Sequence, residues 1–135
     1  MGKSIEELLE CPYWIIDILP KQVPADGAGQ YFAVEKYYLG ESQLASIKQK
    51  HINVVLKLNC YMDVYMDEGE VANPSPHAIA EAMNKRYVII RFGESMMVSE
   101  PDDTHMTLFN PDEQLLELVE AISTSEGLFV WKPQQ

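Results

Sequence analysis

The pattern of residues 52–67, with the sequence INVVLKLNCYMDVYMD, decides which fold the sequence predicts. Apolar side chains occupy every second position from residue 54 to residue 66, which is typical of a strand with one buried face. The apolar face comprises Val54, Leu56, Leu58, Cys60, Met62, Val64 and Met66. The opposite face carries Val55, Lys57, Asn59, Tyr61, Asp63, Tyr65 and Asp67. We therefore expect a long strand, with a bulge or bend because such length is unusual in a small domain.

Upstream of this segment, capping residues predict two helices. Ser4, with Glu7 three residues later, forms a capping box that starts the first helix. Ser42 is expected to start the second helix. Basic residues as far as His51 then favour a helix C-terminus, where the helix dipole attracts positive charge. These signals place a short helix between residue 42 and the predicted long strand.

Downstream, two further helices have recognisable starts. Ser75 followed by Pro76 is a typical helix N-terminus. Asn110 is expected to cap the last helix, with Pro111 in its first position and Gly127 just after its end. Apolar residues recur at helical spacing between these two ends. This last helix is the clearest one in the sequence.

Short apolar runs bounded by turn residues predict the remaining strands, at residues 13–19, 31–39, 88–92, 105–109 and 128–131. The Gly-rich segment 24–29 precedes one of these runs and lacks the Lys of a phosphate-binding loop, so it predicts a simple connection. We expect an α/β (or α+β) fold, in which residues 1–135 form a single domain. Its mixed five- to six-stranded sheet would carry about four helices. The helices that start near residues 75 and 110 are each expected to join parallel strands through a right-handed crossover.

The net charge of −11 restricts the classes of partner. Residues 91–135 contain nine acidic residues and only two basic ones, Arg91 and Lys132. Such a surface repels phosphate backbones and anionic lipids, so nucleic-acid and membrane binding are not expected. The sequence shows no signal peptide, and two cysteines, Cys11 and Cys60, are too few for a disulfide framework. A cytoplasmic location is therefore expected.

Tyr61, Asp63, Tyr65 and Asp67 form the predicted binding site, on the polar face of the long strand. Tyrosine offers stiff contact area with a polar tip and is enriched at interfaces. Interleaved aspartates favour a partner with a basic surface. The alternative is that another element of the same domain covers these tyrosines.

Asp17 is the strongest candidate for acid–base chemistry, because it interrupts an apolar run. Buried without a partner, its carboxyl would have a raised pKa. Pairing with Arg91 is the structural alternative. Asp102, Asp103 and His105 include metal-ligand types, but their motif is incomplete. We expect neither a metal nor a cofactor.

Two functional hypotheses follow from these patterns. The first is a non-enzymatic, acidic protein-binding or accessory domain, with a regulatory or immunity-like role, whose partner is a basic protein or a second copy of the chain. The second is a small-molecule sensor or enzyme with a pocket at the sheet edge. That pocket would involve Asp17, His77 or His105.

Overall fold

The computed structural model describes residues 3–21 and 29–133, and most of the Gly-rich segment lies outside these ranges. The helices of the described residues are α1 (Ile5–Leu9), α2 (Gly29–Tyr38), α3 (Glu41–Asn59), α4 (Pro76–Lys85) and α5 (Glu113–Ser125). The strands are β1 (Tyr13–Asp17), β2 (Tyr65–Met66), β3 (Val88–Phe92), β4 (Ser95–Ser99), β5 (His105–Phe109) and β6 (Phe129–Trp131).

All six strands join one sheet, in the order β2-β3-β4-β5-β1-β6. A sheet of five or six strands with helices packed on it is confirmed, and the class is α+β. Every pairing among these strands is antiparallel, so the sheet is antiparallel rather than mixed. The parallel crossover expected at α4 is wrong, because α4 joins β2 and β3, which are antiparallel neighbours. β5 and β6 both run antiparallel to β1 and therefore parallel to each other, so α5 does join parallel strands, with β1 between them. The sequence-based scheme lacked β4, which forms a hairpin with β3 across the turn at Gly93. β4 reverses the chain direction between β3 and β5.

The predicted long strand is the main error, because α3 extends as far as Asn59 and only Tyr65–Met66 is a strand. The buried residues of α3 follow a helical repeat: Ile47, Lys48, His51, Ile52, Val54, Val55 and Leu58. Lys48 and His51 occupy two of these core-facing positions. Because both side chains are polar, the helical repeat of apolar residues is interrupted in the sequence. Basic residues at these positions are also typical of a helix C-terminus. The helix also begins earlier than expected, after Gly40, so Ser42 lies inside its first turn.

Two other elements differ from expectation. Residues 31–39 lie mainly in α2, not in a strand. Phe32, Val34 and Tyr37 of this helix are exposed, so no buried face marked it in the sequence. The last helix begins after Asp112, whose carboxylate accepts from the Leu115 amide. Asn110 instead adopts a positive φ before that helix.

Helices α3, α4 and α5 pack on one face of the sheet and form its main core. Alternate residues of β3, namely Val88, Ile90 and Phe92, point into this core. The opposite face carries a smaller cluster in which Leu8 of α1 contacts Met96 and Phe109. Within the described residues, no helix has the length and apolar character needed to cross a bilayer.

Candidate functional site

The structure separates the four residues of the predicted binding site. Tyr61 follows the end of α3 and is 69% exposed. Asp63 accepts a hydrogen bond from the Asn73 side chain at 3.0 Å. Tyr65 lies half-buried in β2, and Asp67 forms an ion pair with Arg86 at 3.0 Å. Because the long strand is absent, these residues do not share one continuous face. Tyr61 and Asp63 are exposed, whereas Tyr65 and Asp67 are half-buried.

Tyr61 lies between two cavities that both contact α5. The larger has a volume of about 730 Å³, and the smaller about 400 Å³. Tyr61 and Leu118 line both of them, so the two cavities are adjacent along the helix, and we term them together the Tyr61 groove. The remaining wall residues of the larger cavity come from the β3–β4 turn, the start of α5 and the residue after Tyr61, and include Gly93, Glu94, Asn110, Pro111, Gln114 and Met62.

Asn73 holds the segment that carries Tyr61. Its side-chain oxygen accepts from the Asn59 side chain at 2.8 Å and from the Val64 amide at 3.0 Å, while its amide group donates to Asp63. Its backbone amide also donates to the Val64 carbonyl, and its φ is +57°. Asn tolerates this left-handed conformation better than most residues. The Asn73 side chain therefore helps to fix the direction in which the chain leaves α3, together with the hydrogen bond from the Asn59 side chain to the Met62 carbonyl.

Replacing Asn73 with alanine is expected to lower the free energy of unfolding by about 1–2 kcal/mol, because three side-chain hydrogen bonds are lost and a positive φ is imposed on alanine. Urea denaturation followed by circular dichroism measures this change. Asn73→Gly is the matched control, since glycine removes the hydrogen bonds without the backbone strain. An alanine variant as stable as the natural protein would show that Asn73 does not hold this segment.

The charges along the Tyr61 groove are predominantly acidic. Glu94 and Asp112 line it, and Lys57 is its one basic wall residue within the described chain. Lys57 forms an ion pair with Glu126. Burial alone would raise the pKa of Glu126, but hydrogen bonds from Lys57 and Asn53 lower it below its usual value. Lys57 is thus already neutralised, and the groove keeps its negative charge.

Asp17 is buried in β1, next to His105 in the register of the sheet. Burial raises the pKa of its carboxyl to about 6, against the lowering effect of hydrogen bonds from the backbone, among them the Leu19 amide at 3.2 Å, and of the neighbouring His105. The Asp17–Arg91 pair is wrong, because Arg91 lies on β3 and two strands separate it from β1. His77 is exposed on α4.

The small-molecule hypothesis required Asp17, His77 or His105 to line a cavity. The described residues form the two cavities of the Tyr61 groove, one beside Arg91 and one beside Cys11. Other residues line all four. No group of three or more His, Cys, Asp or Glu residues in the described ranges is placed to hold a metal ion.

Sequence reasoning missed a buried polar centre beneath α3. The Lys48 ammonium donates to the Ser99 hydroxyl at 3.2 Å and to the Glu100 carbonyl. Burial lowers the pKa of Lys48 to about 8, while nearby Asp103, Asp102 and Glu100 act in the opposite direction. A lysine beside a serine can activate the hydroxyl as a nucleophile, but Ser99 is completely buried. The contact therefore ties α3 to the end of β4.

His51 belongs to the same centre. It is fully buried, and neither ring nitrogen reaches a hydrogen-bond partner of acceptable geometry, although the backbone of Thr104 lies close enough to favour the protonated ring slightly. Burial, followed by the charges of Lys48 and His105, lowers the pKa of His51 to about 3. The ring is therefore neutral at physiological pH.

Comparison of the chain with protein-family models, curated proteins and solved structures found no match.

Proposed function

We propose that this chain is a non-enzymatic accessory domain that binds another protein through the Tyr61 groove. The observation that carries the proposal is the position of Tyr61, a largely exposed aromatic side chain shared by two cavities. Exposed tyrosines beside pockets are characteristic of binding hot spots, because the ring contributes area at low entropic cost. A regulatory or immunity-like role is consistent with such a domain.

The acidic surroundings favour a partner with basic residues. Beyond Glu94 and Asp112 in the groove, the exposed side of α5 carries Glu113, Glu117 and Glu120. Because Lys57 is paired with Glu126, a lysine or arginine of the partner would meet unpaired carboxylates near the groove. Two copies of the chain would bring these carboxylates together, so an external basic protein is favoured over a homodimer.

The larger cavity of the Tyr61 groove has an apolar wall and a charged rim. The wall that includes Met62, Leu115 and Leu118 is apolar, whereas the rim at Glu94 and Asp112 is charged. An apolar residue flanked by a basic one in the partner would match this division. Interfaces commonly combine an apolar centre with a polar rim in this way.

Native mass spectrometry of the protein purified from its own host, followed by affinity measurement with the partner so identified, tests the proposal. Tyr61→Ala is expected to weaken binding about 30-fold, equivalent to roughly 2 kcal/mol, without changing the thermal midpoint. Tyr61→Phe should retain most of the affinity because the ring remains. Tyr87→Ala is the matched control, since this tyrosine is also exposed but does not line the groove.

Equal affinities of the Tyr61→Ala variant and the natural protein would exclude the groove as the binding site. A monomer that carries no second chain under gentle purification would contradict the accessory role. A homodimer that persists in the Tyr61→Ala variant would also contradict the proposed binding of another protein through the groove.

A further inference from the structure

A separate cavity of about 440 Å³ lies at the β2 edge of the sheet, outside the Tyr61 groove. Its wall consists of Tyr65, Glu68, Gly69, Glu70 and Arg91. This volume falls within the range of small-molecule sites. The wall combines one guanidinium, two carboxylates and one aromatic ring. A ligand must match all of these groups, so the wall is selective.

Arg91 is the distinctive member of this set. Its neighbours Ile90 and Phe92 in β3 point into the main core, so the Arg91 side chain lies on the opposite face, across from Tyr65 and Met96 in the register. It is half-buried, and among the described residues its guanidinium has no hydrogen-bond or ion-pair partner. A partly desolvated guanidinium with free donors favours a carboxylate, which it binds through two parallel hydrogen bonds.

The two carboxylates are presented by a turn whose position is well defined. The Gly69 amide donates to the Met66 carbonyl at 3.0 Å and closes the turn. Asp67, at a φ of +55°, donates its amide to the Ile89 carbonyl at 2.7 Å, and its carboxylate accepts from the Ile89 amide at 3.1 Å. Asp67 also pairs with Arg86, so the turn is fixed to β3 and to the end of α4. The backbone that carries Glu68 is consequently fixed beside the cavity, and the side chains of Glu68 and Glu70 are exposed at its wall.

We propose that this cavity binds a free cationic α-amino acid. Its α-carboxylate would pair with Arg91, and its two positive groups with Glu68 and Glu70. The charges of the wall and of such a ligand then cancel. A phosphate or dicarboxylate would also meet Arg91, but both glutamates would repel it. The Tyr65 ring, on the same wall, offers a face for the aliphatic part of the ligand. This site is independent of the Tyr61 groove.

Titration of the full chain with L-arginine, followed by nuclear magnetic resonance of the backbone amides, tests this proposal. Shifts are expected at Tyr65, Gly69 and Arg91. L-Argininamide, which lacks the carboxylate, and N-acetyl-L-arginine, which lacks the ammonium, should each bind about tenfold more weakly. L-Citrulline, which lacks only the side-chain charge, should also bind more weakly than L-arginine.

Two variants connect these preferences to particular residues. Arg91→Gln is expected to reduce the affinity for L-arginine to that for L-argininamide. The double variant Glu68→Gln with Glu70→Gln should abolish the preference for L-arginine over L-citrulline. Tyr61→Ala should leave every one of these affinities unchanged. Undetectable binding of L-arginine by the natural protein, or equal binding by a folded Arg91→Gln variant, would overturn the proposal. Equal affinity for N-acetyl-L-arginine would also overturn it, because the α-ammonium would then have no role.

Discussion

Replacing His51 with leucine is expected to raise the free energy of unfolding by about 2 kcal/mol at pH 7, and by more at pH 5. His51 is completely buried, and both ring nitrogens lack an adequate hydrogen-bond partner. Burying an unsatisfied polar group costs free energy, whereas leucine would fill a comparable volume without that cost. Ile47, Ile52 and Val55, on the same helix, are apolar and buried.

The pH dependence follows from the lowered pKa of His51. The folded protein keeps the ring neutral to about pH 3, because of burial and then of the charges of Lys48 and His105. An unfolded chain protonates the same ring near pH 6.5. Titration of His51 therefore costs no stability above pH 6.5, and it lowers the free energy of unfolding as the pH falls from 6.5 toward 3, by up to about 1.4 kcal/mol per pH unit.

Urea denaturation at pH 7 and pH 5 measures both effects of the His51 substitution. His51→Gln is the matched control, because glutamine remains polar but does not titrate. His51→Gln should not show the loss of stability that His51 causes between pH 6.5 and 5. It should also lack the higher free energy of unfolding that is expected for His51→Leu at pH 7. A leucine variant less stable than the natural protein at both pH values would mean that His51 makes a favourable interaction in the fold.

Replacing Asp17 with asparagine is expected to raise the free energy of unfolding by about 2 kcal/mol at pH 8, and to change it little at pH 3. The pKa of this carboxyl is raised to about 6, chiefly because burial disfavours its charge. Its charged form therefore destabilises the fold above that pH. Asparagine removes the charge, yet its side-chain oxygen can still accept the hydrogen bond from the Leu19 amide.

The sign for Asp17 is opposite to that for His51. As the pH falls from about 6 to 3.8, the folded protein takes up a proton at Asp17 before the unfolded chain does, and stability increases. These two contributions oppose each other over this interval in the natural protein. The His51→Leu variant should become more stable as the pH falls over this interval, because only Asp17 then titrates. The Asp17→Asn variant should become less stable, because only His51 then titrates. Parallel pH profiles for the two variants would contradict these assignments.

Asp17→Ala separates the charge of Asp17 from its hydrogen bond. Alanine also removes the charge, but it leaves the Leu19 amide without this acceptor. It should therefore stabilise the protein less than asparagine at pH 8. If alanine and asparagine have equal effects, the hydrogen bond to Leu19 contributes nothing measurable.

Local signals in the sequence predicted several helix ends correctly. Ser4 and Glu7 form both hydrogen bonds of the capping box, and Ser75 caps α4 with Pro76 in its first position. Gly127 follows α5 with a φ of +78°, and its amide donates to the Thr124 carbonyl. These interactions join residues close in sequence, so the residue types are sufficient to identify them.

The errors arose where tertiary contacts decide the structure. Lys48 belongs to the core-facing side of α3 because Ser99 and Glu100, far along the chain, satisfy its ammonium. Nothing near Lys48 in the sequence indicates those acceptors. The apparent alternation after Val54 similarly combined the end of a buried helix with an irregular segment held by Asn73. Alternation alone cannot distinguish these cases.

The candidate site was predictable in part. The sequence identifies Tyr61 as an aromatic residue next to acidic ones, and the structure exposes it beside the groove. The contribution of α5 to that groove depends on how α3 packs against α5, which the spacing of residues does not reveal. The sequence predicts that Asp63 and Asp67 bind a partner, whereas in the structure Asp63 accepts a hydrogen bond from Asn73 and Asp67 pairs with Arg86. Their use by a partner stays a prediction.

The place of β1 between β5 and β6 has a consequence for synthesis on the ribosome. Tyr13 pairs with Phe109, and Ile15 pairs with Trp131, so β1 is synthesised long before the two strands that pair with it. At about 5–20 residues per second, roughly 5–20 s separate the synthesis of Tyr13 from that of Phe109. During this time both edges of β1 lack their native partners, and unpaired apolar strands promote aggregation. The nascent chain should therefore depend on chaperones more than the stability of the finished protein would suggest.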